Sequence, residues 1–244
     1  MSIKFEMTVE SYDVQPNGNI KISSLLKMLQ KAAGDDVNKT NLNYNNLVSH
    51  NIAFVLTKMS LKILKDIKLY DVVTIVSHPR HFRGATFPRD FIISVNGDVC
   101  AVATSNWVLI DLVKRTILRP SAISEYGDLP PSDEDLFELA DVKFNFIETS
   151  PLKTNVLSVE YSHLDMNNHL NNTYYADFIF NNISPDYHDS DKGLYLQINY
   201  KAEALFGDNI EISTNFIDNS YIFSANNISN DKICFTAYVS KDIE

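Results

Sequence analysis

Two cysteines in 244 residues are too few to staple a chain of this length, so a disulfide framework is excluded. Cys100 and Cys234 both stand in apolar, strand-like runs, and neither lies near a His/Asp/Cys cluster with ligand spacing. They read as packing thiols, and neither a metal site nor a cofactor is expected. No run of about 20 apolar residues exists, which excludes a helical membrane span. The start of the chain, MSIKFEMTVE, has no apolar signal region, so a cytoplasmic location is expected. Positive charge is also short. Lys and Arg number 21 against 31 Asp and Glu, and the net charge of −10 argues against nucleic acid as a partner.

What is present is one pattern written twice. Lys4–Val9 alternates, with Phe5, Met7 and Val9 on one face, as a half-buried strand does. Gln15-Pro16-Asn17-Gly18-Asn19 is a turn by composition. In KISSLLKMLQKAAGDDV, Ile22, Leu25, Leu26, Leu29, Ala32 and Ala33 recur at three and four. That spacing predicts a helix with one buried stripe, capped by Ser23 or Ser24 and ended or interrupted at Gly34. Residues 35–51 are Asn-rich and read as loop or weak helix. From Ile52 the period becomes two, with strands expected at 53–64, 72–80, 86–95, 99–111 and, briefly, 115–118. Asn96-Gly97-Asp98 is a hairpin signal. Residues 120–141 break the pattern. Pro130–Asp135 is acidic and Pro-rich, a linker with one short helix at 133–139.

The second half repeats that order: a strand at 153–161, a polar loop, a helix at 172–182, then strands at 194–202, 209–217, 221–226 and 232–239. Val9, Glu10 and Asn17 match Val159, Glu160 and Asn167, and Leu69-Tyr70-Asp71-Val72 lines up with Phe206-Gly207-Asp208-Asn209. Identity between the halves is low, and it is the repeated order that implies duplication. The expected organisation is α+β, with domains at 1–120 and 151–244 and a linker at 121–150. A striped helix among antiparallel strands is buried most simply by wrapping the sheet around it. Two such halves cover their exposed edges by pairing into one continuous sheet.

The stretch YSHLDMNNHLNNTYY, Tyr161–Tyr175, is the least like filler. Asp165, Asn167 and His169 alternate at spacing two. Asn171, Asn172 and Thr173 follow as candidate caps of a helix whose apolar face is Tyr174, Tyr175, Phe178 and Ile179. A helix N-terminus there favours negative charge, including a developing oxyanion. The competing reading is a solvated turn. The first half has Gln15, Asn17 and Asn19 at the corresponding places. Gln and Asn do not titrate, so only the second copy holds a possible base. Glu203, in Tyr200-Lys201-Ala202-Glu203-Ala204, is either another acid of the site or a solvent-facing strand residue. Asp66, its counterpart in the first half, reads as a surface charge.

Asp165-x-Asn167-x-His169-x-Asn171-Asn172-x-x-Tyr175 resembles the acyl-acyl-carrier-protein thioesterases, the plant and bacterial enzymes built from two hotdog folds. More loosely it resembles single-hotdog acyl-CoA thioesterases. Tyr200 and Glu203 match the Tyr-x-x-Glu-Cys segment of the plant enzymes, and Ala204 stands where they carry the cysteine. Phe54–Lys58, Leu69–Asp71, Phe87–Phe91 and Ser105–Leu109 extend the likeness over nearly the whole chain. The resemblance implies a double hotdog that hydrolyses fatty acyl thioesters of acyl carrier protein, releasing the acid and ending chain elongation. It implies a site of Asp165, Asn167, His169 and Glu203, in which Asp165 or Glu203 deprotonates water, and an oxyanion site near Asn171, Asn172 and Thr173. The acyl chain is expected in the first half, along Leu25, Met28, Leu29, Met59 and Trp107, which otherwise read as plain core. Arg80, Arg83, Arg89, Lys114 and Arg115 are candidate contacts for the acidic carrier protein, or else solvated charges. Rival readings are an acyl-CoA or aromatic acyl-CoA thioesterase, a non-catalytic acyl-binding hotdog, and a hotdog dehydratase. A homodimer is possible, and so is a self-sufficient monomer.

Overall fold

The computed structural model describes residues 3–126, 136–147 and 151–241. In the first half, the strand β1 (Ile3–Thr8) leads into the helix α1 (Ile22–Val37) and the short helix α2 (Tyr44–Ser49). Strands β2 (Ile52–Ile63), β3 (Val72–Pro79), β4 (Thr86–Val95), β5 (Asp98–Asp111) and β6 (Thr116–Ile117) follow. The second half runs β7 (Lys153–Ser158), α3 (Tyr174–Phe180), β8 (Tyr195–Tyr200), β9 (Asn209–Ile217), β10 (Ser220–Asn227) and β11 (Lys232–Ser240).

All of these strands form one antiparallel sheet in the order β1-β3-β4-β5-β2-β8-β11-β10-β9-β7, with β6 beside β5. The order is a palindrome of two equivalent halves. They join where β2 pairs with β8, from Lys58 opposite Asn199 to Lys62 opposite Tyr195. Among the described residues, joining the two inner edges leaves β1 and β7 as the outer edges, which limits the template for unwanted strand pairing.

The buried stripe of α1 is the one its spacing predicts: Ile22, Leu25, Leu26, Leu29, Ala32 and Ala33 all face the core. Its ends differ from expectation. Ser23 and Ser24 lie buried inside the first turn, and the N-cap position is Lys21 without a side-chain cap. The helix runs through Gly34 to Val37. A tertiary pair rewards the extra turn: Asp36 is buried against Arg89 of β4. In the second half α3 is shorter than expected, seven residues, and Thr173 at its N-cap makes no side-chain cap. Tyr175 of α3 meets the rings of Phe178, Tyr200 and Phe235, and Tyr221 and Phe223 belong to the same buried cluster.

Of the expected linker, residues 121–125 belong to a short 3₁₀ helix, Pro120–Glu125, and 136–147 form neither helix nor strand; residues 133–135 of the expected helix lie outside the described residues. Two buried side-chain amides of the sheet hold the 136–147 segment as a neighbouring strand would. Gln197 Oε1 accepts from Val142 N (3.1 Å) while its Nε2 donates to Val142 O (3.2 Å). Asn215 treats Ile147 the same way, at 2.8 and 3.2 Å. Among the described residues no helix is long and apolar enough to cross a membrane.

Candidate active site

The polar stretch folds into a tight turn that Asp165 organises. Its N–H donates to the His169 carbonyl (2.8 Å), and its Oδ1 accepts the N–H groups of Asn167 (2.8 Å) and His169 (3.3 Å). Asn168 supplies the left-handed residue, φ +60°, that such a turn requires. No described residue donates to Asp165 Oδ2. The segment then pairs briefly with the chain after β8: Leu170 N donates to Ala204 O at 2.8 Å. That register sets His169 beside Glu203, with Nε2 3.5 Å from Oε2. The same Glu203 oxygen accepts from Arg115 at 2.8 Å. Asn167 Oδ1 accepts the Tyr44 hydroxyl at 2.6 Å. The negative charges of Glu203 and Asp165 both reach Tyr175, whose hydroxyl is pushed up mainly by burial and then by Cys234, Tyr200 and these two carboxylates. His163, the other histidine of the stretch, serves the fold: its Nδ1 accepts Glu160 N at 3.0 Å.

Asn171, Asn172 and Thr173 do not act as a group. Asn171 Oδ1 accepts both the N–H (3.0 Å) and the hydroxyl (2.9 Å) of Thr173, and Asn171 O accepts Tyr174 N. The N–H of Thr173 is therefore spent on the turn, contrary to the oxyanion role expected for it. Asn172 and Thr173 line a cavity.

That cavity lies between α1 and the first-half sheet and has about 330 Å³ of empty space, its open mouth included. Leu26, Leu29, Ala33, Leu56, Met59, Phe91 and Trp107 make it apolar, and Tyr200 closes the side nearest the loop. Of the residues expected along an acyl chain, Leu29, Met59 and Trp107 line it. Leu25 and Met28 are buried in the core instead and are not among the lining residues.

The first half carries the same turn without an acid in it. Gln15 N donates to Asn19 O at 2.8 Å, and Asn17 Oδ1 accepts Asn19 N. A segment of the other half seals it. Asn17 Nδ2 donates to His188 O, Gln15 Nε2 to Asp191 Oδ2 (2.9 Å), and Asp66 accepts from Ser190 Oγ (3.1 Å) and Asp191 N (3.0 Å). Asp66 is thus a partly buried structural acceptor rather than the surface charge its neighbours suggested. Burial, with the Asp66 charge beside it, pushes the Asp191 carboxyl up to about 6.

The five basic residues expected to meet a carrier protein do not form one surface. Arg89 is buried, paired with Asp36 and bonded to Ser77 Oγ (2.7 Å). Arg80 is turned inward on Asp90 at 3.4 Å, its side chain 7% exposed. They are buried on opposite faces of the sheet, since Arg89 stands opposite Pro79 and Arg80 opposite Pro88, and their charge alone did not reveal it. Arg115 faces Glu203. Arg83 and Lys114 are exposed, the latter 3.7 Å from Asp111. Among the described residues no three His, Cys, Asp or Glu side chains are placed to hold a metal ion.

Sequence reasoning missed Tyr44 at the site and the pairing of Arg115 with Glu203. Neither residue belongs to a local motif; they reach the loop from 123 and 88 residues away.

Comparison with known proteins follows the same outline. The model of the acyl-ACP thioesterase N-terminal domain matches residues 1–124, and that of the acyl-ACP thioesterase C-terminal domain matches 148–240. No curated protein matches. Among solved structures, an acyl-ACP thioesterase from Bacteroides thetaiotaomicron is 18% identical with a TM-score of 0.83, covering 98% of this chain and 97% of that one. The 12:0-ACP thioesterase from Umbellularia californica is 15% identical with a TM-score of 0.80, covering 98% and 96%. At these identities the likeness is one of fold, the double hotdog.

Proposed function

This chain belongs to the acyl-ACP thioesterase family and is a thioester hydrolase of acyl-acyl carrier protein, and from that premise we propose how its residues divide the work. The acyl chain occupies the apolar cavity of the first half, and its thioester lies at the mouth, beside Asn172 and Tyr200. Water is a poor nucleophile, so a group must take its proton as it attacks; such help is worth about 10²–10⁴ in rate. Asp165 fills that role. One of its oxygens is held by two backbone N–H groups, which fixes the carboxylate and leaves Oδ2 available to accept a proton. Glu203 already accepts from Arg115 and faces His169, so it orients the ring rather than taking the proton. His169 then stands as proton donor to the departing pantetheine sulfur. The Asn167 amide, its oxygen held by Tyr44, turns its NH₂ toward the thioester oxygen, where charge develops. The balance is one water consumed, one C–S bond broken, and a carboxylic acid and a thiol released.

The observation that supports this reading is that Asn172, Thr173 and Tyr200, which flank the ionisable turn and Glu203 in the sequence, line an apolar cavity built mainly by the first half. The test compares one acyl chain on acyl carrier protein and on coenzyme A, measuring acid and thiol released. Faster turnover of the carrier-protein thioester is expected. Equal or faster turnover of the coenzyme A thioester contradicts it and favours the acyl-CoA alternative.

A further inference from the structure

We infer that two side chains of the first half, Tyr44 and Arg115, complete the active site as positioning residues for Asn167 and Glu203. The inference rests on the catalytic reading above and adds to it the means by which the non-catalytic half controls the chemistry.

Both side chains are presented by built elements. Asn43 caps α2 by accepting Asn46 N at 3.0 Å, and this fixes Tyr44 at the first helical position. Its hydroxyl then meets Asn167 Oδ1 at 2.6 Å. Asn167 is an exposed residue at the tip of a turn. Without a partner on its oxygen its amide is free to rotate, and the NH₂ loses its direction. Arg115 sits at the turn between β5 and β6. Asp111 Oδ1 secures that turn by accepting the N–H groups of Val113 (2.9 Å) and Lys114 (2.8 Å), and Arg115 N donates to Asp111 O. The guanidinium reaches Glu203 Oε2, the oxygen that His169 Nε2 faces. Arg115 thereby fixes which carboxylate oxygen the imidazole meets.

The sealed copy supplies an independent observation. Asn17 and Asp66 are the counterparts of Asn167 and Glu203, and the opposite half grips both. There the grip is by backbone and a serine of the 184–193 segment, and the site is covered. In the catalytic copy the same two positions are gripped from the opposite half by two long side chains. The contact is kept, but Asn167 and Glu203 remain exposed. Pairs this exposed add little to folding, with Arg115 61% and Glu203 37% exposed at the side chain. Their effect is expected in turnover rather than stability.

The test uses full-length Tyr44→Phe, Arg115→Gln and Arg115→Lys, with kcat and KM measured on one acyl-acyl carrier protein and melting temperature as control. Tyr44→Phe and Arg115→Gln are expected to lower kcat about tenfold or more with KM nearly unchanged, the pattern of an interaction made toward the transition state. Arg115→Lys is expected to recover part of the loss. Tyr44→Phe added to Asn167→Ala, and Arg115→Gln added to Glu203→Gln, are expected to cost little further, because coupled partners are not additive. Unchanged kcat, additive losses, or a raised KM at constant kcat for Arg115→Gln, the mark of a carrier-docking residue, would each overturn the inference while leaving the thioesterase reading intact. A wild-type chain that cleaves no acyl thioester overturns both.

Discussion

Asp165 and Gln15 occupy the same point of one backbone turn used twice: each donates its N–H to the carbonyl four residues on, at 2.8 Å in both copies. The turns differ in chemistry rather than shape. A carboxylate stands in one and an uncharged amide in the other, and only the carboxylate can accept a proton from water at neutral pH. The copy that lost its acid is the copy that the 184–193 segment covers.

The buried ion pair between Asp36 and Arg89 is expected to hold the end of α1 to the first-half sheet. Removing one partner leaves a buried charge uncompensated, which costs about 3–5 kcal/mol. Asp36→Ala and Arg89→Ala should each lower stability by that order in urea unfolding. A loss near zero would show that the charges are solvated.

Ala33 lies on α1 against the cavity, opposite Phe91 and Trp107. A larger side chain there takes space an acyl chain would use. Ala33→Phe is expected to shift the preferred substrate toward shorter chains, measured across a series of acyl-acyl carrier proteins. The same preference in a folded variant would remove the acyl chain from this cavity.

Asp191 gives the fold a pH dependence of its own. Its carboxyl is raised by burial first and then by Asp66, partly offset by Lys241, Asn19 and Gln15, and stands at about 6 in the folded chain against 3.8 for an ordinary aspartate. The folded state therefore holds the proton more tightly than the unfolded one. The stabilisation is complete below the ordinary value and is lost as pH rises through about 6, an effect on the order of 2–3 kcal/mol at one pKa unit per 1.36 kcal/mol. Asp191→Asn should flatten the fall in melting temperature between about pH 4 and 7 and raise it at neutral pH. An unchanged slope would mean that Asp191 does not titrate there.

Much of the architecture was legible because it is local. Period-two alternation located β4 and β9 with the observed bounds, and spacing of three and four found the buried stripe of α1. The turn at Asp165 was legible for the same reason, since its bonds span at most four residues. What failed depended on distant partners. Gly34 looked like a helix end, but Asp36 finds Arg89 across the fold and the helix continues. Arg80 and Arg89 looked like surface charge, and β4 and its neighbours bury them on carboxylates. Asp66 looked solvated until the 184–193 segment arrived from the other half. Glu203 was legible through its place in the motif, but its grip by Arg115 was not.

The most direct measurement is fatty acid released from an acyl-acyl carrier protein by the wild-type chain and by Asp165→Asn, with circular dichroism to show that both are folded. Asparagine keeps the oxygen that accepts the two turn N–H groups and removes the proton acceptor. Steady release by the wild type and a fall of about 10²-fold or more in the folded variant are expected. Release at the wild-type rate by Asp165→Asn, or none by the wild type, would contradict the assignment of an acyl-thioester hydrolase whose working acid lies in the second copy alone.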